Sequence, residues 1–370
     1  MIEQLAQSFG KHPSVLAVAL SGSRGAGSGD EASDFDLYVY AFGDLPIDFR
    51  RALASPGAEI DNRYWEPGDE WVDQSSGARI DVMYRSPAWI EDQLERVLVR
   101  HEASIGYSTC FWYNILNSEP LFDPRGWYAG LQARARAPYP EELRRSIIGK
   151  NHPLLRRNQS SYRRQIELAL QRHDVVSVQL RLTALLASYF DVWFALERQP
   201  HPGEKRLLAA LPADEQRLVS AVLGAAPEYL LASIDALLDQ LDLRLEHAAV
   251  QSAAIEHVAA WVADLERARE FYERWFGALT GPVYHSRTRD FMSYFLRLGT
   301  VRLELMQSPG EPARQAHIAI SVGSPASVDA LVHSMEAGGV TIVSGPRLTG
   351  DGYYEAVVAD SEGNLLEITA

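Results

Sequence analysis

The spacing of apolar positions changes character twice along this chain. An unbroken run, Val15-Leu16-Ala17-Val18-Ala19-Leu20, has the length of a buried strand, and Leu37-Tyr38-Val39-Tyr40 follows as a second. Ile2–Phe9 and Ile47–Ala54 read as helices, Ala58–Trp65 and Glu70–Gln74 as short strands, and Ala78–Tyr84 as a further strand. Interleaved strands and helices predict a small α/β unit over residues 1–88. From Pro87 the spacing turns helical, over Ala88–His101, Leu143–Ile148, Tyr162–Arg172, Val175–Glu197, Glu204–Leu211, Asp214–Leu223 and Glu228–His247. Val178, Leu182, Leu185, Leu186, Tyr189 and Trp193 form one apolar stripe, expected to be core, and residues 89–250 are predicted to be an all-α bundle.

Near Ser252 the alternation of strands returns, and it returns in duplicate. Strand Ile255–Val262, helix Asp264–Phe276 and strands Phe291–Leu298 and Val301–Gln307 are followed by strand Ala316–Val322, helix Ser327–Ala337 and strands Tyr353–Ala359 and Leu365–Thr369. His257-Val258-Ala259 aligns with His317-Ile318-Ala319 at an offset of 60 residues, and Val301–Leu305 with Asn364–Ile368 at an offset of 63. The pattern predicts two βαβββ units over residues 254–370, each with His on its first strand and Glu on its last. The expected fold class is therefore multidomain α+β.

Composition narrows the setting. The 370 residues are 46% hydrophobic, enough for two or three cores. A net charge of −14 disfavours a general nucleic-acid binder, which needs a basic face. The net acid lies at both ends, with 7 Lys/Arg against 14 Asp/Glu in residues 1–88 and 9 against 15 in residues 254–370. Cys110 is the only cysteine, which excludes a disulfide framework. No segment reads as a membrane span, and Met1-Ile2-Glu3-Gln4 lacks the basic start of a signal peptide, so a cytoplasmic location is expected.

Chemistry gathers first at Gly22–Asp36. A Gly22-Ser23 turn lets backbone N–H groups and a hydroxyl approach a phosphate, while Asp34 and Asp36, two apart on a strand, share one face. Carboxylates so close need a cation, and Mg²⁺ prefers carboxylate and phosphate oxygen. Asp81 offers a third carboxylate from another strand. Asp30-Glu31 is read as a solvated loop. These residues resemble the nucleotidyltransferase superfamily typified by DNA polymerase β and the aminoglycoside nucleotidyltransferases. The resemblance implies a nucleotidyltransferase domain over residues 1–88 with Mg²⁺ and an NTP (ATP or another) as cofactors. Asp34 and Asp36 would then be metal ligands, Gly22 and Ser23 phosphate contacts, and Asp81 a third ligand or the base for a small-molecule acceptor. In the helical region, Arg144, Arg145, Lys150, Arg156, Arg157, Arg163 and Arg164 lie in a stretch free of acidic residues between Glu142 and Glu167. Arg156 and Arg157 could complement the triphosphate or form a solvated face, and Lys205 is a further phosphate candidate. Leu121–Gly126 reads as a structural turn.

The duplicated C-terminal pattern, with its closing Gly350–Glu355 and Asp360–Glu367 segments, resembles the vicinal oxygen chelate superfamily, which includes glyoxalase I and bleomycin-resistance proteins. The resemblance implies a divalent metal (Zn, Ni, Mn or Fe) on His257, Glu304, His317 and Glu367, with Glu367 as a candidate base. It leaves open a homodimer through this domain in which each copy completes the other's site. Two functions are thus expected: nucleotidyl transfer from an NTP to a small acceptor, with a glyoxalase-like domain fused to it, or a glyoxalase-like lyase, isomerase or resistance protein whose first domain is regulatory.

Overall fold

The computed structural model describes residues 1–25, 34–64, 66–252, 254–286, 290–310, 314–359 and 365–370. It divides the chain into two compact units, one of residues 1–150 and 186–210, the other of residues 151–185 and 211–370. Asp30-Glu31 lies outside the described residues.

The first unit opens with α1 (Ile2–Phe9), β1 (Val15–Leu20), the single turn α2 (Gly22–Gly25), β2 (Phe35–Ala41), α3 (Ile47–Leu53), β3 (Glu59–Asn62), β4 (Gly68–Val72) and β5 (Arg79–Arg85), in the predicted order. After α4 (Pro87–Leu98) come α5 (Cys110–Asn117), β6 (Glu119–Phe122) and α6 (Trp127–Ala135). The strand order is β3-β4-β5-β2-β1-β6, with β1 antiparallel to both neighbours and β2 parallel to β5. All six β1 residues are buried, which is why its sequence is continuously apolar rather than alternating. The turn expected over Leu121–Gly126 lies at residues 123–126, where Gly126 N donates to the Asp123 carbonyl at 3.1 Å, while Leu121 and Phe122 close β6, so the sheet draws a strand from beyond residue 88. Four residues, two of them exposed, are too few to show a period.

The helices continue as α7 (Glu141–Arg156), α8 (Tyr162–Gln171), α9 (Val175–Leu196), α10 (Leu207–Ala210), α11 (Ala213–Gly224) and α12 (Pro227–Ser252). The expected helix Glu204–Leu211 shortens to α10 because Gly203 and Arg206 hold φ of 103° and 61°, which helical geometry does not allow. Against expectation, α9 is long and apolar enough to cross a membrane by length and composition. Within the fold it is a core helix: Leu185, Tyr189 and Trp193 are buried, and Asp191 accepts from Ser108 N at 2.9 Å and Ser108 Oγ at 2.6 Å.

The basic run is largely neutralised by helix neighbours, which corrects the expectation that it is free to meet a triphosphate. In the second unit Arg156 bonds Asp239 and Asp242, both at 2.6 Å, and Arg157 pairs with Asp329 at 3.0 Å. Arg163 bonds both oxygens of Asp235. In the first unit Arg144 pairs with Glu141, and Lys150 donates to the Ala103 carbonyl. The acidic partners sit mainly on α12, about 80 residues away in sequence, so a local charge count does not see them.

The C-terminal region of the second unit contains β7 (Ala254–Trp261), α13 (Leu265–Phe276), β8 (Leu279–Thr280), β9 (Tyr284–Ser286), β10 (Phe291–Leu298), β11 (Val301–Gln307), β12 (Arg314–Ser321), α14 (Pro325–Ala337), β13 (Ile342–Leu348), β14 (Tyr354–Ala359) and β15 (Leu365–Thr369). Asp264 caps α13 by accepting from Arg267 N, and Ser324 caps α14 from Ser327 N. The main path of the sheet is β13-β14-β15-β12-β7-β11-β10-β8, with β9 pairing β10. One sheet face packs on the helices: Leu296 and Leu305 cluster with Leu265 of α13, while Val358 and Ile368 cluster with Val328 and Val332 of α14.

Asp242 is the electrostatic anchor of the helices in the second unit, bonded by His152 at 2.5 Å as well as by Arg156. Burial alone would raise its pKa, but the His152 and Arg156 contacts hold the carboxyl down to about 2. A carboxyl depressed in the fold stabilises above its ordinary value near 3.8 and loses that effect as pH falls toward about 2. Asp242→Asn should therefore destabilise by about 1–3 kcal/mol at neutral pH. Denaturant titrations of both proteins should show the gap closing as the solution approaches about pH 2.

Candidate metal centre

The two βαβββ units meet along one seam, the antiparallel pairing of β7 with β12. His257 pairs with Ala319 and Ala259 with His317, so both histidines share a sheet face, diagonally across the seam. Glu304 on β11 pairs with Ala259, and Glu367 on β15 pairs with Ala319, both in parallel register. Each Glu thus flanks the alanine two residues beyond its unit's histidine. Ala259 and Ala319 are fully buried, and their methyl groups leave the space that larger residues would fill.

The four expected ligands converge. His257 Nε2 and His317 Nε2 are 2.9 Å apart. Glu304 Oε2 lies 3.7 Å from the first and 3.8 Å from the second, while Glu367 Oε2 lies 3.7 Å and 3.3 Å away. Among the described residues, His257, His317 and Glu367 form the metal-capable group whose ligand atoms all lie within 4.8 Å of one another. All four side chains come from one chain.

The electrostatics fit a cation. Burial, with Glu355, Glu304 and Asp351 nearby, pushes the Glu367 carboxyl up to about 8, and burial raises Glu304 as well. Burial, reinforced by the His257 charge, lowers His317 to about 4. Two imidazoles and two carboxylates are donors for Zn, Ni, Mn or Fe. The ligands line a cavity of about 970 Å³ whose aromatic lining includes Trp261, Phe291, Phe295 and Tyr353.

A contact that the sequence reading missed lies behind His257. Glu256 reaches His257 Nδ1 and also accepts from Arg302 Nη1 at 2.6 Å. Arg302 bonds the Tyr353 hydroxyl too, and its guanidinium lies 4.1 Å from the Phe295 ring centre. A signal was present. At the repeat offsets of 60 and 63, Glu256 faces Ala316 and Arg302 faces Leu365, so the duplication breaks at these two positions.

The N-terminal carboxylates are arranged differently. Asp36 and Asp81 are register partners on β2 and β5, and Glu70 on β4 is the partner of Asp81 on its other side. Asp34 lies 4.0 Å from Arg79. These carboxylates are not drawn together as closely as the histidine–glutamate group. Burial raises Asp81 to about 6, aided by Glu70, Asp36 and Asp34. Burial also raises Asp36, while Lys205, brought near by the segment before α10, lowers it. At Asp81, Arg79 offsets the rise in part while it is shared with Asp34 and Glu70, and Arg85 is engaged with Glu66 at 2.8 Å. The Ser23 side chain lies outside what is described. Arg156 and Arg157 belong to the other unit, in the ion pairs given above.

Residues 254–368 match the Glyoxalase/Bleomycin resistance protein/Dioxygenase superfamily. The chain thus carries a glyoxalase-like domain at its C-terminal end. Among solved structures, it is similar to a hypothetical protein from Bacillus halodurans C-125, at 20% identity and a TM-score of 0.29, covering 32% of this chain and 94% of that one. It is also similar to methylmalonyl-CoA epimerase from Mycobacterium tuberculosis (20%, 0.28, covering 31% and 85%) and to the Streptomyces coelicolor epimerase (21%, 0.28, covering 31% and 94%). No curated protein matches the chain.

Gly22 shows how tightly the first cluster is built. Its φ is +62°, and a Cβ there would stand 1.7 Å from Asp36 Oδ2. Gly22→Ala should therefore displace the Asp36 carboxylate and destabilise the protein by about 1–3 kcal/mol. Thermal melting would read the second effect, and carboxyl NMR of Asp36 the first.

Proposed function

We propose that the glyoxalase-like domain is a divalent-metal enzyme acting as a lyase or isomerase on a small oxygen-bearing substrate. The observation that carries this reading is the meeting of His257, His317, Glu304 and Glu367 at one face of a cavity of about 970 Å³. These four residues would hold the ion, which when bound supplies Lewis-acid polarisation of a substrate oxygen. Glu367 is the candidate base, because burial and neighbouring carboxylates bring its proton affinity close to neutrality. Phe295 and Tyr353 supply apolar walls that limit water around the reacting groups.

The reading predicts one transition-metal ion per chain and a melting temperature that falls on chelation. His257→Ala and Glu367→Gln should each remove most of that chelator-sensitive shift. Because Glu367 is raised in the metal-free fold, its contribution opposes folding once it ionises. Metal-free stability should fall as pH rises from about 4.5 through about 8, and metal should restore it. Elemental analysis of the full chain that finds no metal, together with melts indifferent to Zn²⁺, Ni²⁺, Mn²⁺ and Fe²⁺, would sink the idea.

A second reading applies to the first unit: Mg²⁺-dependent nucleotidyl transfer from an NTP to a small hydroxyl- or amine-bearing acceptor. Three features favour it: the register pairing of Asp36 with Asp81, the Gly22 backbone against the Asp36 carboxylate, and the nearby Lys205. Asp34, Asp36 and Asp81 would hold the ion. Asp36→Asn should abolish transfer of label from an α-labelled NTP to acceptors while the fold persists by circular dichroism. Transfer at the parent rate would refute the assignment.

A further inference from the structure

The seam between β7 and β12 carries two bulges, and they obey the repeat. Ile255 pairs with Ile320 and His257 with Ala319, leaving Glu256 as the extra residue on β7. Ala260 pairs with Gln315 and Ala259 with His317, leaving residue 316 as the extra residue on β12. Each bulged residue therefore directly precedes a candidate ligand histidine. A bulge re-aims the side chain that regular alternation would send to the opposite face. On β7 that re-aimed residue is an acid, and it engages His257 Nδ1. Arg302 holds the same carboxylate at 2.6 Å, and Tyr353 and Phe295 hold Arg302 in turn. The second unit has Ala316 and Leu365 at the matching positions. Among the described residues, the ionic partners of His317 are Glu304 and Glu367, both through Nε2.

We propose that Glu256, braced by Arg302, is a positioning residue. It fixes the ring and tautomer of His257 with Nδ1 protonated and Nε2 turned to the ion, and so makes the two histidines unequal ligands. The proposal rests on the metal-centre reading above. A carboxylate accepting from Nδ1–H removes the competing tautomer and raises the basicity of Nε2. His317 lacks such a partner in its own unit's pattern, so the His257 side is the firm half of the centre and the His317 side the exchangeable half.

The test uses the full chain with Zn²⁺ as probe. Glu256→Gln should weaken Zn²⁺ binding by about 10- to 100-fold in chelator competition. In the metal-free protein, long-range ¹H–¹⁵N NMR of the imidazoles should show His257 as the Nδ1–H form. That signature should be lost in Glu256→Gln. If Glu256→Gln fails to fold, Arg302→Gln, which leaves the carboxylate in place but unbraced, should give a smaller, several-fold loss. Parent-like Zn²⁺ affinity with an unchanged His257 tautomer would overturn the proposal. A parent protein that binds no Zn²⁺ while the His257 signature still depends on Glu256 would refute the metal reading alone.

Discussion

The pairing of β7 with β12 is the constraint on which the C-terminal region depends. Each βαβββ unit carries one imidazole and one carboxylate, too few donors to enclose a divalent ion. The seam sets the register, His257 to Ala319 and Ala259 to His317, and that register alone brings the two half-sets to one face. A slip of one residue would send a histidine through the sheet to the helix side, where Val258 and Ile318 belong. The helices reinforce the choice. Capped by Asp264 and Ser324, they bury the opposite face and leave the ligand face to the cavity.

Much of this was legible in the sequence because a duplication displays its own register. The offset of 60 residues gave the two histidines, the offset of 63 the two glutamates, and the strands that carry them lie where alternation predicts them. The illegible parts depended on contacts between distant segments. Arg156, Arg157 and Arg163 formed a basic run in the sequence, but α12 returns acids to meet Arg156 and Arg163, and α14 returns Asp329 to meet Arg157. The edge strand β6 was too short for a period. Glu256 follows neither strand alternation nor repeat symmetry, since its direction comes from a bulge that the local pattern does not encode.

The two acidic centres show two solutions to crowded carboxylates. In the first unit, Asp36 and Asp81 are aligned by parallel pairing and flanked by Glu70, with Lys205 and then Arg85 easing Asp36. In the C-terminal domain the two imidazoles sit between the two carboxylates across the sheet, and the donor atoms of His257, His317 and Glu367 lie within 4.8 Å of one another. Nitrogen donors carry no charge when neutral, so they can approach one another more closely than carboxylates can.

The last described turns of α12, which ends at Ser252 just before β7, pack against the C-terminal domain. Ala249 is fully buried in the cluster formed by Val328, Val332 and Ile368, and Glu246 accepts from Ser334 of α14 at 2.6 Å. Arg157 of the α7–α8 region reaches Asp329, which also accepts from the Tyr354 hydroxyl at 2.7 Å. A chain cut at residue 254 would start at the first residue of β7 and bare the apolar patch that Ala249 covers. The heritable module is accordingly longer than the repeat that reveals it. A recombination or truncation carrying only the two βαβββ units would inherit the ligands without the helix that closes their scaffold.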